Sequence, residues 1–410
     1  MLLAQLLKKM IHVGSLTVID AGGRRHVFEG TEPGRACTIR LHDPALHHRL
    51  LVNPKLGLGE ALMDGTLTIE DGEIYDFVAL CAQNLGWGDP EHWLARIDQA
   101  FRRLYKRIAV YNPVPRSRRN VAHHYDLSDR LYELFLDNDR QYSCAYFTSP
   151  AVDLDEAQES KKKHLAAKLL LQPDQKVLDV GCGWGGLALS LAKYSDVEVT
   201  GITLSNEQYR HATQRAEREG LSDRVRFLLE DYRQVRGSYD RIVSVGMFEH
   251  VGTSHYDTFF GRLNDLLRDD GVALLHTIGR ADGPAAPNPW INKYIFPGGY
   301  IPSLSEIVPS IERKRFYITD IEVLRLHYAD TLKAWRRRFQ ANAVHIREIY
   351  DERFCRMWET YLALSEAAFR YSGMVVFQIQ LAKNQDAVPL TRDYIADFER
   401  AEADRHWQAA

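Results

Sequence analysis

A glycine-rich turn directly after a short apolar run constrains the fold of this sequence more than any other feature. Residues 177–180 (VLDV) are typical of a buried strand, and a helix is expected to begin near Leu187. Four glycines stand between them: Gly181, Gly183, Gly185 and Gly186. Glycines let the backbone approach a ligand closely, and a helix N-terminus presents N–H groups to it. The stretch therefore predicts a nucleotide-binding turn between a strand and a helix.

Two nucleotide cofactors are compatible with this turn. Gly181, Gly183 and Gly186 fit the G-x-G-x-x-G fingerprint of dinucleotide-binding proteins, which expects an acidic residue roughly 20 positions further on to hold a ribose. Residues 201–205 (GITLS) contain no acid, and the candidate is instead Asp231, after a strand-like run at 225–229. This layout favours S-adenosylmethionine over a nicotinamide cofactor, and an NAD-dependent oxidoreductase stays as the alternative.

The composition is that of an ordinary globular protein and argues against several function classes. The chain has 410 residues, 45% of them hydrophobic and 26% charged, and its formal net charge of -3 gives no reason to expect nucleic acid binding. The five cysteines lack C-x-x-C spacing, which argues against a disulfide framework or a zinc site and favours a reducing compartment.

No apolar run is long enough for a membrane span, and residues 1–10 do not read as a signal peptide, because their two lysines follow the apolar stretch. These ten residues are expected to form an amphipathic helix. Such a helix either packs on its own domain or lies on a bilayer.

The order of strand-like and helical pieces predicts four segments. Residues 1–97 read as a small N-terminal α/β domain, and residues 98–119 as a basic linker in which cations alternate with aromatic rings. The cations form either a solvated helix face or a surface that docks on anionic lipid. Residues 120–383 form the second domain, and residues 384–410 form a charged C-terminal tail.

The second domain alternates strands and helices as a doubly wound parallel sheet does, which places it in the α/β class. Ligands of such sheets bind at the carboxyl ends of the strands. Five polar side chains are expected to converge there on one crevice: Cys182, Thr203, Asp231, Glu249 and His276. The stretch 279–303 is rich in proline, glycine and aromatic residues, and is expected to be a loop that walls an apolar substrate.

Six motifs together resemble the family of cyclopropane-fatty-acyl-phospholipid synthases and mycolic acid cyclopropane synthases. They are YDLS at 125–128, YSCAYF at 142–147, DVGCGWGG at 179–186, GITLS at 201–205, FEHVG at 248–252 and YIFPGG at 294–299. The resemblance covers about residues 120–382, and GLGEALMDG at 57–65 is similar to the N-terminal, lipid-substrate or accessory domain of the phospholipid-acting members. It implies a class I methyltransferase, with a Rossmann-like doubly wound sheet and a helical lid.

The resemblance also implies a reaction, in which S-adenosylmethionine gives a methylene group to the cis double bond of an unsaturated phospholipid acyl chain. The π electrons attack the sulfonium methyl, and the resulting carbocation must be shielded from water and lose a proton to a base. The resemblance to the family implies that this base is a bound bicarbonate. By the same resemblance the protein is expected in the cytoplasm, peripherally bound to the inner face of the membrane, and as a homodimer.

The family pattern assigns roles residue by residue. The bicarbonate ligands would be Cys144 (chiefly through its backbone), Glu249, His276, Tyr328 and, where the family usually has a cysteine, Ser365. The serine at that position leaves the outcome of the reaction open. The resemblance places these residues around the cofactor: Tyr142 and Ser143 at its methionine end, Val177, Asp179, Gly181, Cys182, Gly183 and Gly185 along its backbone, Thr203, Leu204, Ser205 and Gln208 at the ribose, and Asp231 and Tyr232 at the adenine.

Plainer interpretations stand beside these roles. Cys144 and Cys182 could be small core residues, His276 a hydrogen-bonded core histidine and Tyr328 a packing residue. Glu249 could begin a solvated helix. Three alternatives concern the function. The enzyme could form a methyl-branched or methylene lipid, or it could methylate a soluble amine or a sphingolipid. The chain could also be a lipid-binding or structural protein whose cofactor site is no longer used.

Overall fold

The computed structural model describes residues 2–86 and 128–409, which form two sheets. The predicted basic linker at 98–119, the junctions at residues 97 and 120 and the first three residues of the YDLS motif lie outside the described residues. In the described ranges no helix combines the length and the apolar composition needed to cross a bilayer.

The N-terminal part folds around a four-stranded sheet of order β2-β1-β3-β4, in which β1 pairs antiparallel with β2 and parallel with β3. Its elements are α1 (Leu2–Met10), β1 (Val13–Ile19), β2 (Arg25–Glu29), β3 (Glu32–Leu41), α2 (Leu46–Val52), α3 (Pro54–Asp64), β4 (Leu67–Asp71) and α4 (Ile74–Leu85). The sequence did not indicate β2, because only one of its five residues is buried and the strand therefore lacks apolar alternation.

The residues at which helix α3 begins and ends can be recognised in the sequence. The side chain of Asn53 accepts a hydrogen bond from the backbone N–H of Leu56, and Pro54 occupies the first turn, where no N–H is required. Gly65 ends the helix in the left-handed conformation, with φ of 73°. At the other end of this part, α1 packs on the N-terminal core through Ala4, Leu7 and Met10, while Leu6 is exposed.

The second part contains a seven-stranded sheet of order β10-β11-β9-β8-β5-β6-β7. Its elements are α5 (Asp129–Phe135), α6 (Leu154–Leu169), β5 (Lys176–Val180), α7 (Gly186–Ser195), β6 (Glu198–Thr203), α8 (Asn206–Arg218), β7 (Val225–Leu229), β8 (Tyr239–Val245), α9 (Tyr256–Leu266), β9 (Leu267–Arg280), α10 (Pro289–Tyr294), α11 (Leu304–Arg313), β10 (Tyr317–Leu324), α12 (His327–Ala341), α13 (Ala343–Ile349), α14 (Glu352–Tyr371), β11 (Met374–Ala382) and α15 (Asp393–Ala409).

The strand order of this sheet positions a ligand site. Strands β6 and β7 lie on one side of β5, and β8 and β9 on the other, all parallel, while β11 and β10 complete the sheet antiparallel. The direction of winding therefore reverses between β5 and β8. In open α/β sheets the carboxyl ends of the strands at such a reversal line the binding crevice.

Residues 327–349 form two helices, because Asn342 ends α12 and donates hydrogen bonds to the carbonyls of Leu134 and Arg338. Two predictions about irregular segments were incomplete. The expected loop at 279–303 contains α10. The charged tail contains α15, in which the side chain of Glu399 contacts His164 of α6.

The two parts pack closely against each other through α3, α4, α10 and α14. Ala363 and Ala367 of α14 belong to the hydrophobic core of the N-terminal part. Glu60 of α3 accepts hydrogen bonds from Lys293 and Tyr294 of α10, each at 2.8 Å. Helix α14 is thus shared between the two cores.

Candidate active site

A first cavity of about 140 Å³ lies at the carboxyl ends of β5, β6, β7 and β8. Of the residues that the sequence assigned to the cofactor, these line it: Tyr142, Ser143, Asp179, Gly181, Cys182, Gly183, Thr203, Leu204, Gln208, Asp231 and Tyr232. The cavity therefore gathers side chains from the turns after three parallel strands, as the topology predicts.

The glycine turn has the conformation that its sequence requires. Gly181 and Gly183 have φ of 88° and 54°, a region that L side chains rarely adopt. A Cβ on Gly181 would lie 2.7 Å from the Cβ of Met247, whereas one on Gly183 would meet no atom within 4 Å and would project into open space. The turn thus leaves room for a ligand along its backbone.

Asp179 ends β5 beneath the turn and suits a cationic ligand group. Its carboxyl is almost completely buried, and Oδ2 has no hydrogen-bond partner among the described residues. Burial raises the pKa of Asp179 to about 7. A buried carboxyl with an unsatisfied oxygen, at the edge of a nucleotide-sized cavity, fits the amino-acid end of S-adenosylmethionine.

Three residues that the sequence assigned to the cofactor do not line the cavity. Val177 lies on β5 and is buried in the hydrophobic core. Gly185 precedes α7 and is pressed against Phe227, since a Cβ there would lie 2.7 Å from the ring. The hydroxyl of Ser205 accepts a hydrogen bond from the Gln208 N–H at the start of α8. These residues shape the turns that present the lining groups.

Two polar pairs in this cavity contain the residues that were predicted to contact the ribose and the adenine. Thr203 Oγ1 lies 2.7 Å from Gln208 Oε1, which fixes the threonine hydroxyl as the donor. Asp231 forms a bidentate ion pair with Arg233 at 2.8 and 2.7 Å. Sequence reasoning missed Arg233 and Arg140, which also line this cavity, although Arg233 stands two positions after the predicted acid.

A second, mostly apolar cavity of about 420 Å³ adjoins the first. The two cavities share the lining residues Tyr142, Ser143, Gly246 and His250. The second cavity is also lined by Phe296 from the segment 279–303, which agrees with the expectation that this segment walls an apolar substrate. The single crevice expected from the sequence is therefore a pair of joined cavities.

The five residues that the sequence assigned to the bicarbonate all line the second cavity. Cys144 precedes α6, Glu249 follows β8, His276 lies on β9, Tyr328 begins α12 and Ser365 lies on α14. The structure thus brings together side chains that are up to 221 positions apart, counted from Cys144 to Ser365. Burial raises the pKa of the Cys144 thiol, so this cysteine is neutral.

Glu249 is buried with only one of its oxygens hydrogen-bonded in ordinary geometry. Oε1 accepts from the backbone N–H of Ile278 at 2.6 Å, and Oε2 has no partner among the described residues. Burial raises the pKa of Glu249 to about 6, which places its titration close to neutral pH. An unsatisfied carboxyl oxygen that can carry a proton suits contact with a small oxyanion.

His276 is held as a neutral imidazole by β11. Burial lowers its pKa well below the usual value. The amide Nε2 of Gln378 lies 3.2 Å from His276 Nδ1 and donates to it, so that the imidazole proton is on Nε2. Gln378 could have been recognised from the sequence, because it is the polar residue within the otherwise apolar stretch 374–379.

The N-terminal part supplies one wall of the second cavity, which sequence reasoning also missed. Val78, Cys81 and Ala82 of α4 and Leu58 of α3 line it together with Ser365 of α14. The three residues of α4 belong to an ordinary amphipathic helix pattern, and only packing against α14 turns that face toward the cavity.

Together, a doubly wound sheet, a glycine turn at its switch point and a cavity that suits S-adenosylmethionine define a class I methyltransferase that depends on this cofactor. The chain belongs to the mycolic acid cyclopropane synthetase family, whose model matches residues 114–379. The fold class and the family expected from the sequence motifs are therefore confirmed.

Three relatives support this membership. The cyclopropane-fatty-acyl-phospholipid synthase of Escherichia coli (strain K12) is 40% identical over 347 residues, which are 84% of this chain and 87% of that protein. A probable fatty acid methyltransferase of Pseudomonas putida is 36% identical over 365 residues, 86% of this chain and 88% of that protein. A solved mycolic acid cyclopropane synthase in complex with SAH and CTAB is 36% identical, with a TM-score of 0.62 over 66% of this chain and 99% of that chain.

Proposed function

We propose that this methyltransferase transfers a methylene group from S-adenosylmethionine to the cis double bond of an unsaturated phospholipid acyl chain, giving a cyclopropane. The observation that carries the proposal is the apolar second cavity, which joins the cofactor cavity at Tyr142, Ser143, Gly246 and His250. An alkene placed there would meet the cofactor across this junction. The 40% identical relative from Escherichia coli bears the name of the same activity.

The lining of the second cavity fits the demands of a cationic intermediate on the acyl chain. S-adenosylmethionine supplies the electrophilic methyl group when it is bound. Aromatic side chains stand around the junction, where the hydroxyls of Tyr142 and Tyr361 lie 2.9 Å apart and Phe296 packs edge-on against Tyr361. Such walls exclude water, and the faces of aromatic rings attract a cation.

We propose further that a bicarbonate bound by Cys144, Glu249, His276, Tyr328 and Ser365 is the base that accepts the proton from this cation. Two features of the cluster support this. The proton on Nε2 of His276 is available as a hydrogen-bond donor, because Gln378 donates to Nδ1. The pKa of Glu249, raised to about 6 by burial, lets its Oε2 share a proton with an oxyanion instead of repelling it.

The variant E249Q tests the bicarbonate proposal. Glutamine cannot share a proton with the anion, so we expect kcat to fall by roughly 100-fold or more and the response to added bicarbonate to disappear, with affinity for SAH unchanged. E312Q, at an exposed position of α11, is the matched control and should behave as the native protein. If E249Q kept full activity and its bicarbonate dependence, the proposed role of Glu249 would be wrong.

Mass spectrometry of unsaturated phospholipid vesicles incubated with the protein and S-adenosylmethionine tests the reaction itself. A gain of about 14 mass units per chain, in a product that resists hydrogenation, is expected for a cyclopropane. The same gain with a reducible double bond, or a gain of about 16, would instead identify a methylene or a saturated methyl-branched chain.

This second candidate, a methyl or methylene product, is favoured by one observation. Ser365 stands in the proton-accepting cluster where the family usually has a cysteine, and a change in that cluster could alter where the cation loses its proton. The relative from Pseudomonas putida, described as a probable fatty acid methyltransferase, is consistent with such a product.

We also propose a cellular setting and a division of the chain. The protein would act as a homodimer at the inner face of the membrane, in contact with anionic lipid through the basic segment 98–119. Residues 1–97 would form the lipid-substrate domain, 120–383 the catalytic domain and 384–410 a C-terminal extension. The presence of α4 side chains in the wall of the acyl cavity supports a substrate role for the N-terminal part.

A further inference from the structure

A completely buried lysine lies beneath the junction of the two cavities without lining either of them. Lys161 is on the inward face of α6 and is 0% exposed. Its Nζ donates to Gln141 Oε1 at 2.5 Å and to Ser143 Oγ at 2.9 Å. Among the described residues no carboxylate lies within ion-pair distance of it. A buried cation without its own counter-ion is costly, so a compensating role is expected.

The same face of α6 holds the backbone of the segment that Lys161 contacts. Gln158, one turn earlier, donates from Nε2 to the carbonyls of Gln141 at 3.2 Å and of Ser143 at 3.0 Å. Residues 141–143 therefore accept hydrogen bonds from α6 through both side-chain and main-chain oxygens. This segment carries Tyr142 and Ser143, which line both cavities.

The hydrogen bond from Lys161 sets the direction of the Ser143 hydroxyl. A serine hydroxyl has one O–H to donate and two lone pairs to accept. An ammonium group can only donate, so Ser143 Oγ is the acceptor in this pair and its own O–H points elsewhere. Because Ser143 lines the cofactor cavity, that O–H is available to an anionic group there. The anionic group of S-adenosylmethionine is its carboxylate.

The charges that face Lys161 come from two further elements and from its own helix. Asp137 and Asp139 lie in the loop after α5, Asp179 ends β5, and Lys162 follows on α6. Lys162 already pairs with Asp139 at 2.8 Å. Farther away, Lys161 contributes to keeping His276 of β9 neutral, and Cys144 is its other titratable neighbour.

We propose that Lys161 is a positioning residue for the cofactor: it holds the Ser143 hydroxyl as a donor toward the carboxylate of S-adenosylmethionine, and its buried charge attracts that carboxylate. Lys161 itself does not touch the reacting atoms. The proposal concerns the cofactor site of the methyltransferase and does not depend on which acceptor is methylated.

Burial gives Lys161 a measurable signature, since it lowers the pKa of this lysine to about 8 against the opposing effect of Asp137 and Asp139. Below that pH the ammonium is charged and its attraction for the carboxylate is complete. As the pH rises above about 8 the charge is lost, and only the hydrogen bond to Ser143 remains.

Calorimetric binding of SAH without any lipid tests the proposal. At pH 7 the variant K161M, which keeps the length of the side chain but no charge or donor, should bind SAH roughly tenfold more weakly or worse. K163M, the same change two positions along α6 at a partly exposed lysine, is the matched control and should bind within about twofold of the native protein. K161M binding as tightly as K163M would overturn the proposal.

The pH dependence separates positioning from a merely structural role. The ratio of the K161M and native dissociation constants cancels the titration of SAH itself, and it should shrink between about pH 8 and about pH 10 as native Lys161 loses its charge. A constant ratio over this range would contradict the proposal. If K161M does not fold, K161R serves instead. Arginine keeps its charge, so the SAH affinity of K161R relative to the native protein should rise over the same pH range. A relative affinity that does not change with pH would contradict the proposal.

A double-mutant cycle with S143A tests the path through the serine hydroxyl. If Lys161 acts through Ser143, K161M should cost less affinity in the S143A background than in the native one, by a factor of about three or more. Strictly additive losses would rule out the coupling between these two side chains.

Discussion

Burial sets the protonation states of the polar side chains around the two cavities. It raises the pKa of Asp179 to about 7 and that of Glu249 to about 6, and it lowers the pKa of His276 well below its usual value. At the second cavity His276 and the Cys144 thiol are neutral, and Glu249 is the only carboxyl among the described lining residues, with a titration close to neutral pH. This is the environment in which a bound oxyanion can be held and can accept a proton.

Gly183 offers a direct test of the cofactor cradle. In G183A the methyl group projects into the cavity, so we expect SAH affinity to fall by roughly tenfold or more, while the positive φ of 54° costs about 1–2 kcal/mol of folding free energy. Calorimetry measures the first effect and denaturant unfolding the second.

Gly220 is the matched control for this substitution. It too has a positive φ, 67°, with open space around its missing Cβ, but it lies at the end of α8 outside the lining of the cofactor cavity. G220A should therefore lose a similar amount of stability and keep native SAH affinity. Equal SAH affinity in the two variants would mean that the turn at Gly183 does not approach the cofactor.

The crossing of α3 and α10 depends on one glycine in the interior of a helix. A Cβ on Gly59 would lie 2.4 Å from the Trp290 ring, and the ring is fully buried. Glycine within a helix usually costs stability, so its presence here is explained by the close approach of the two helices. Gly59 also lines the second cavity, which links the crossing to the candidate site.

We expect G59A to destabilise the protein by about 1–3 kcal/mol, because Trp290 would have to move within a packed core. The same substitution at Gly261, inside α9, meets only the flexible end of the Lys314 side chain and should stabilise by about 0.5–1 kcal/mol through higher helix propensity. Urea unfolding of the two variants gives opposite signs if this account is right. A stabilised G59A would show that the crossing tolerates a side chain.

The two parts of the chain share the second cavity and one long helix. Helix α14 contributes Ala363 and Ala367 to the N-terminal core and Ser365 to the cavity. Helix α4 also lines this cavity, with Val78, Cys81 and Ala82. The second cavity therefore exists only when both parts are assembled.

Filling this cavity from the N-terminal side should affect lipid and cofactor differently. In A82F an aromatic ring occupies part of the apolar space, so we expect turnover of long unsaturated chains to drop by roughly tenfold or more, with SAH affinity unchanged. Q83F, at the neighbouring position of α4 outside the lining, is the matched control. Native turnover in A82F would exclude α4 from the substrate path.

The elements with strong local patterns could be predicted from sequence. Strand Val225–Leu229 has the predicted bounds, and the glycine turn after β5 has the predicted conformation. The motifs also led to residues that the structure gathers around two cavities, although Val177, Gly185 and Ser205 lie behind the lining. The strand and the turn were predicted from periodicity and turn chemistry, which act between neighbouring residues, whereas most site residues were predicted from the family resemblance.

The sequence by itself determined the doubly wound sheet and the glycine turn, and the family resemblance pointed to most of the polar groups that line the two cavities. Tertiary structure alone decided that the site is two joined cavities, that α4 walls one of them, that Gln378 orients His276 and that the charged tail ends in a helix against α6. The physical reason is distance along the chain. Burial and hydrogen bonding between residues 102 to 235 positions apart, as for Gln378 with His276 and Glu399 with His164, leave no mark in a local pattern.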